Sequence, residues 1–254
     1  MNRRALVRRP SPRLAEGLLT HIDRVPVDVD LAVQQWEAYV AALRGEGWET
    51  IEVPPAPECP DSVFVEDTVV VYDDLAVIAR PGADERRAEV TGTEQVLRDL
   101  GLRIAHVEAP GTLDGGDVLK HDGTVWVGLG GRTNRSGIDQ LAAHLAPMGA
   151  TVVAVPLTRA LHLKSAVTAL PDGTVVGWEE VVDDPDVWDS FLAVPEEPGS
   201  HVVLLDGSTV LMSASAPRTR ALYEERGLRV VAVDVTEFEK LEGCVTCLSV
   251  RLRG

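Results

Sequence analysis

The sequence predicts an α/β fold of five strand–hairpin–helix modules closed into a ring. Three observations carry this. A short apolar strand pattern ending in proline recurs at residues 51–54, 107–110, 152–156 and 191–195, and a fifth copy at 230–233 ends in Asp234. After most copies, two β-rich runs flank a tight-turn pair: Asp73-Asp74, Asp122-Gly123, Asp172-Gly173 or Asp206-Gly207. Asp-Gly readily supplies the positive φ that a hairpin turn needs. Helical patterns fill the remaining gaps, and such a recurring unit is the mark of a repeat architecture.

Taken in order, residues 5–8 read as a first strand. Residues 31–44 place apolar side chains at helical spacing and stop near Gly45. The hairpin flanks Val69-Val70-Val71 and Thr124-Val125-Trp126-Val127 are β-branched and aromatic, as strands favour. Residues 84–100 read as a helix ended by Gly101, a usual stop. Further helices are expected at 137–145 and 218–225, with a stunted, acidic one at 183–190. The last strand, 248–252, is expected to pair with 5–8 and close the ring. Closure hides sheet edges. No linker or low-complexity stretch interrupts the chain, so one domain is expected over 1–254. Periodicity alone leaves a mixed α/β sandwich open.

Composition narrows the function. With 254 residues, 45% hydrophobic and 25% charged, the chain can bury a core without disulfides or metals. A net charge of −16 repels phosphate backbones, so nucleic-acid binding is not expected. The same field attracts a cationic small molecule. Cys59, Cys244 and Cys247 are too few for a disulfide framework and suit a reducing cytoplasm. No apolar run has membrane-spanning length, and Arg3, Arg4, Arg8 and Arg9 precede no apolar signal core.

Polar residues sit where each module's central β region begins: Asp61 to Asp67, Leu113 to Asp117, Leu161 to Ser165 and Cys244 to Cys247. In a ring these positions converge near the axis. That brings acids, His162 and a cysteine into one pocket, a constellation suited to nucleophilic catalysis. Taken singly, His162 between leucines reads equally as a half-buried core residue, and a β-region cysteine as core packing. Cys244-x-x-Cys247 also matches a redox or zinc half-site, but no second paired motif completes a metal site. Glu66-Asp67, expected in a strand, should point to opposite faces. A buried carboxylate there needs a cationic substrate or a structural arginine. Arg86-Arg87 stand near a helix start, where the dipole disfavours cations, and Arg132 lies at a strand-to-helix junction. Both arginines point to an anion, or simply to solvent.

Residues 60–67, Leu113 to Val118, Arg132-Thr133-Asn134, Leu161 to Lys164 and Thr246-Cys247 resemble the dimethylarginine dimethylaminohydrolase family. The resemblance runs over essentially the whole chain. It implies a five-module α/β propeller (pentein), a small cationic amino-acid substrate and hydrolysis of N-methylated arginine to citrulline and a methylamine. It implies Cys247 as nucleophile, His162 as general acid then base, and Asp114 as the group orienting His162. Asp67, with Glu66 beside it, would hold the guanidinium. Arg86 and Arg132 would grip the α-carboxylate. Asp61 and the backbone around Leu241 would face the amino-acid end, under a loop bearing Leu18. No metal or organic cofactor is implied, no nucleic-acid or membrane partner, and a monomer or homodimer in the cytoplasm.

Arginine deiminases of the same superfamily carry His-x-Asp where this chain has Lys164, which favours the methylated substrate. The alternatives are arginine deiminase, an amidinotransferase, or a non-catalytic binding module on the same fold. Two departures from familiar relatives stand out: Gly199-Ser200-His201 and Cys244.

Overall fold

The computed structural model describes residues 3–253; Met1, Asn2 and Gly254, the ends of the expected domain, lie outside the described residues. Five three-stranded sheets surround an axis as the blades of an α/β propeller. In the first, β1 (Arg3–Val7) runs parallel to β2 (Glu49–Glu52). The next two are β3 (Val69–Tyr72), β4 (Leu75–Ile78) and β5 (Arg103–His106), then β6 (Val118–His121), β7 (Thr124–Leu129) and β8 (Thr151–Pro156). The fourth is β9 (Val167–Ala169), β10 (Val175–Gly177) and β11 (Phe191–Ala193), and the fifth is β12 (Val202–Leu204), β13 (Thr209–Ser213) and β14 (Arg229–Val233). The final strand, β15 (Val250–Arg253), returns to pair antiparallel with β1, Leu6 opposite Val250. The expected ring closure is present.

Each blade is an antiparallel pair whose second strand takes a parallel third strand; the pair is a hairpin in four blades and β15 with β1 in the first. The proline-ended strand therefore completes the preceding blade and does not open the next. Parallel pairing requires a crossover connection, which helices supply in four of the blades and 3-10 turns in the fourth blade. Two expected strands lie earlier: β2 ends at Glu52, two residues before Pro54, and β5 ends at His106, with 107–110 following it.

The outer helices follow their signals. In α1 (Val29–Gly45) the Asp28 side chain accepts the Leu31 N–H at 3.0 Å, and Trp36, Tyr39 and Leu43 are buried. The helix expected over 84–100 divides into a 3-10 segment, Asp84–Glu89, and α2 (Val90–Asp99). The tighter segment turns Arg86 inward, where acids wait for it. Asn134 caps α3 (Arg135–Leu145), and Pro217 starts α5 (Pro217–Glu225) after the short α4 (Leu163–Ala166). The fourth blade has only 3-10 turns, Glu179–Val181 and Pro185–Val187, in place of a helix. A last short helix, α6 (Thr236–Glu239), precedes β15.

The hairpins divide into two kinds. Asp122 and Gly123, at φ 44° and 76°, make the two-residue turn expected of Asp-Gly. Gly207 lies in a longer loop and has no positive φ; there Asp206 accepts the Ser208 N–H at 2.8 Å instead.

Candidate active site

In every blade a short turn carries the chain into its first strand. These turns are Val65–Thr68 before β3, Gly115–Asp117 before β6, α4 before β9, Glu197–Ser200 before β12 and residues 244–248 before β15. Four of these five bear the polar residues read from the sequence. Glu66-Asp67 thus lie in a 3-10 turn and not in a strand, because Asp67 N–H reaches back to the Phe64 carbonyl at 3.2 Å. Both are buried, yet their carboxylates go to different places.

Asp67 meets the histidine. His162 Nε2 lies 3.0 Å from Asp114 Oδ2, and its Nδ1 lies 3.8 Å from Asp67 Oδ1. Burial disfavours the imidazolium, but Asp67, the Asp114 hydrogen bond and Asp117 outweigh it and carry His162 up to about 9. Asp67 is itself held down to about 2: burial opposes its charge, while His162 and Arg86 favour it. Arg86 donates to Asp67 at 2.7 Å and to Glu89 at 2.8 Å, so the anions facing it here are the protein's own. Arg132 is different. Its Nη1 is buried, 3.7 Å from Asp114 Oδ2, and has no hydrogen-bond partner.

The glycine pair of Asp114-Gly115-Gly116-Asp117 has a steric reason. A Cβ on Gly115 would fall 2.0 Å from the Glu66 carbonyl, and one on Gly116 would fall 2.7 Å from His162 Nδ1. Gly116 N–H also donates to Asp67 Oδ1 at 2.9 Å. The segment is therefore more than a turn: it lets the two carboxylates and the imidazole crowd together.

The thiol side is anchored from outside. The Tyr39 hydroxyl donates to the Val245 carbonyl at 3.0 Å and pairs with Ser249 Oγ at 2.7 Å, so α1 grips the turn bearing Cys247. Cys244 Sγ and Cys247 Sγ lie 3.3 Å apart, both free thiols and both buried. Their titrations belong to the pair. A hydrogen bond from one sulfur to the other eases the first ionisation and opposes the second.

Leu18, Asp61, Asp67, Arg86, Arg132, His162, Leu241 and Cys247 line one pocket, with Phe64, Leu161, Glu242 and Gly243. Its free space of about 20 Å³ admits one water. Leu18 N–H donates to Asp61 Oδ2 at 3.0 Å, which ties the covering segment down. Asp114 stands behind His162, outside the lining. Glu66 also lies elsewhere. It faces a neighbouring cavity of about 270 Å³, where Lys164 Nζ at 2.6 Å and Arg251 at 2.9 Å hold its carboxylate, leaving Oε2 buried and unpartnered. Lys164 points to that cavity and not to the thiol pocket.

Arg251, Tyr39, Glu89 and Asp117 were not singled out as site residues. Asp117 accepts the Leu163 N–H at 3.0 Å and the Thr133 hydroxyl at 2.6 Å, and Thr133 Oγ1 accepts the Asp114 N–H at 3.1 Å. It thereby ties the histidine segment to its acid, and burial pushes it up to about 6. A second acid after Gly-Gly was the one signal available for it.

Asp67, Asp114 and His162 offer ligand atoms within 4.8 Å of one another. Arg86 and Arg132 already face those carboxylates, so the donor set suits an organic cation better than a metal ion.

Comparison with known proteins agrees. A curated N(G),N(G)-dimethylarginine dimethylaminohydrolase from Streptomyces coelicolor is 62% identical over 252 residues, 99% of this chain and 98% of that one. The chain belongs to the dimethylarginine dimethylaminohydrolase family. The family model described as arginine deiminase matches residues 52–196. A crystal structure of a dimethylarginine dimethylaminohydrolase adduct with S-methyl-L-thiocitrulline superposes with a TM-score of 0.93 at 32% identity, covering 99% of this chain and 100% of that one. A Pseudomonas aeruginosa family member complexed with citrulline gives a TM-score of 0.92 at 32% identity, over 99% and 100% of the two chains.

Proposed function

We propose that this chain is one hydrolase domain that converts N-methylated arginine to citrulline and a methylamine through a covalent intermediate on Cys247. The observation that carries this is His162 between Asp114 and Asp67 in the pocket that Cys247 lines.

A guanidinium is electrophilic only while protonated, so carboxylates must hold it as a cation. Asp67, ionised throughout the neutral range, performs that task; Glu66 is engaged by Lys164 and Arg251 in the adjoining cavity and does not share it. The cation then favours thiolate at Cys247. Attack on the guanidinium carbon gives a tetrahedral adduct. Its amine leaves once protonated by His162, whose elevated affinity keeps it charged at neutral pH. Neutral His162 next activates water, which attacks the thiouronium. Collapse releases citrulline and restores the thiolate. The reaction needs no cofactor.

At the amino-acid end, Arg132 brings an unpartnered N–H, suited to a carboxylate. Arg86, already neutralised by Asp67 and Glu89, lines the pocket and holds Asp67 in place. Asp61 and the Leu241 backbone face the amino group. Since the pocket has only about 20 Å³ of free space, the Leu18 segment must lift to admit an amino acid. Lys164 supports the methylated substrate: the position holds a cation paired with Glu66 outside the pocket, and so supplies no acid for unsubstituted N–H groups.

Three free cysteines fit the cytoplasm, and among the described residues no helix is long and apolar enough to cross a membrane. We assign a monomer or homodimer acting on a small cationic amino acid.

The test compares dimethylarginine with arginine, measuring citrulline, dimethylamine and ammonia, with Cys247→Ser beside the native protein. Dimethylamine and citrulline from the methylated substrate, lost in the variant, is the expected result. Ammonia and citrulline from arginine alone would move the assignment to a deiminase.

A further inference from the structure

Cys244 has no part in the reaction just described, yet it sits against the residue that does the most. Its Sγ is 3.3 Å from Cys247 Sγ and 3.2 Å from Thr246 Oγ1. The Cys247 N–H donates to the Cys244 carbonyl at 3.1 Å, so a tight turn holds the two thiols on one side. Tyr39 pins the same turn through the Val245 carbonyl and Ser249. The thiols differ in access. Both are buried, but Cys247 lines the pocket that substrate must reach and Cys244 does not. A small oxidant in the pocket thus meets Cys247 first, with Cys244 next to it.

We propose that the Cys244–Cys247 pair is a site of reversible oxidative modification, taking hydroperoxides, in which Cys244 traps oxidised Cys247 as a disulfide. The inference rests on Cys247 being the reactive thiol of the proposed function. The Cys247 thiolate attacks the peroxide oxygen, the O–O bond breaks, and an alcohol or water leaves after taking a proton. Cys247 is now a sulfenic acid. The Cys244 thiolate attacks that sulfur, the S–O bond breaks, and the hydroxide leaves as water after protonation. Two electrons pass from the two sulfurs to one peroxide. Sulfenic acids that find no thiol go on to sulfinic acid, which is not readily reversed. Sulfurs already in contact, on one side of one turn, need little movement to join. A disulfide cannot attack a guanidinium, so the enzyme is silent while oxidised and recovers with a dithiol reductant.

The experiment treats the native protein with hydrogen peroxide and maps cysteine peptides by mass spectrometry, with dimethylarginine turnover followed in parallel. The expected product is a Cys244–Cys247 linkage with the loss of two hydrogens, and dithiothreitol restores activity. Cys244→Ser and Cys244→Ala should instead gain one and then two oxygens on Cys247, with activity lost for good. Peroxide that adds oxygens to native Cys247 without a linkage, or irreversible loss equal in native protein and variants, would overturn the proposal. The mapping needs no turnover. A linkage in a protein inactive on dimethylarginine would sustain the dithiol and refute the hydrolase reading alone.

Discussion

Asp114→Asn is the most informative single change. Asp114 is buried and ties itself to His162 Nε2 at 3.0 Å through Oδ2 and to the Gly82 N–H at 2.9 Å through Oδ1. Asparagine keeps the shape and an acceptor for Gly82 but removes the charge. A hydrogen bond to an ionised group contributes about 1.5–3 kcal/mol, against about 0.5–1.5 kcal/mol for a neutral one. The difference of about 1–1.5 kcal/mol equals about one pKa unit. The sign follows from the charge: without its anion His162 holds its proton less tightly. Its titration therefore moves down from about 9, and the alkaline limb of kcat moves with it. With its one acceptor given to the Gly82 N–H, asparagine turns N–H₂ toward Nε2, which disfavours the protonated ring, so kcat falls by about a hundredfold, the lower end of the range for lost acid–base catalysis. The assay is citrulline release from dimethylarginine between about pH 6 and about pH 10, with urea unfolding as the folding control. An unmoved alkaline limb, with kcat within about twofold of native, would refute the role given to Asp114.

Other outcomes follow from the same geometry. Arg132→Ala should raise KM for dimethylarginine with a smaller effect on kcat, a loss of about 2–3 kcal/mol in kcat/KM, because the substrate carboxylate loses a charge-assisted donor. Lys164→Met leaves Glu66 with Arg251 as its remaining ionic partner. Breaking a buried pair outright costs about 3–5 kcal/mol, so with Arg251 retained a loss of about 1–3 kcal/mol should appear in urea unfolding. Tyr39→Phe should cost about 1–3 kcal/mol by leaving the Val245 carbonyl and Ser249 hydroxyl short of a partner; chemical denaturation measures it. Stability should depend on pH through His162. Its folded affinity, about 9, lies above the model-compound 6.5, so its contribution is full below about 6.5 and is lost as pH rises through about 9. His162→Asn should flatten that alkaline decline in thermal melts.

The sequence made the ring legible through its repeated hairpins, and Gly45 and Gly101 marked helix ends where they occur. It misplaced the module boundary because a parallel third strand looks, in one dimension, like the start of whatever follows it. The polar clusters were legible because they recur at one position per blade. Side-chain direction was less so. Alternation predicts opposite faces for Glu66 and Asp67 only in a strand, and a 3-10 turn aims them by a different rule. Arg251 gave no signal: it sits in a charged terminal strand, and its link to Glu66 spans 185 residues. Tyr39 likewise reads as one apolar residue of an amphipathic helix, although its hydroxyl holds the Cys247 turn.

The central claim is that Cys247 forms a covalent bond to the guanidinium carbon. Rapid acid quenching of the native protein with dimethylarginine, followed by peptide mass mapping, tests it directly. A substrate-derived adduct on Cys247 should form within one turnover, decay as citrulline appears, and be absent in Cys247→Ser. Citrulline formed with no adduct at any quench time, or an adduct on Cys244 in its place, would contradict it.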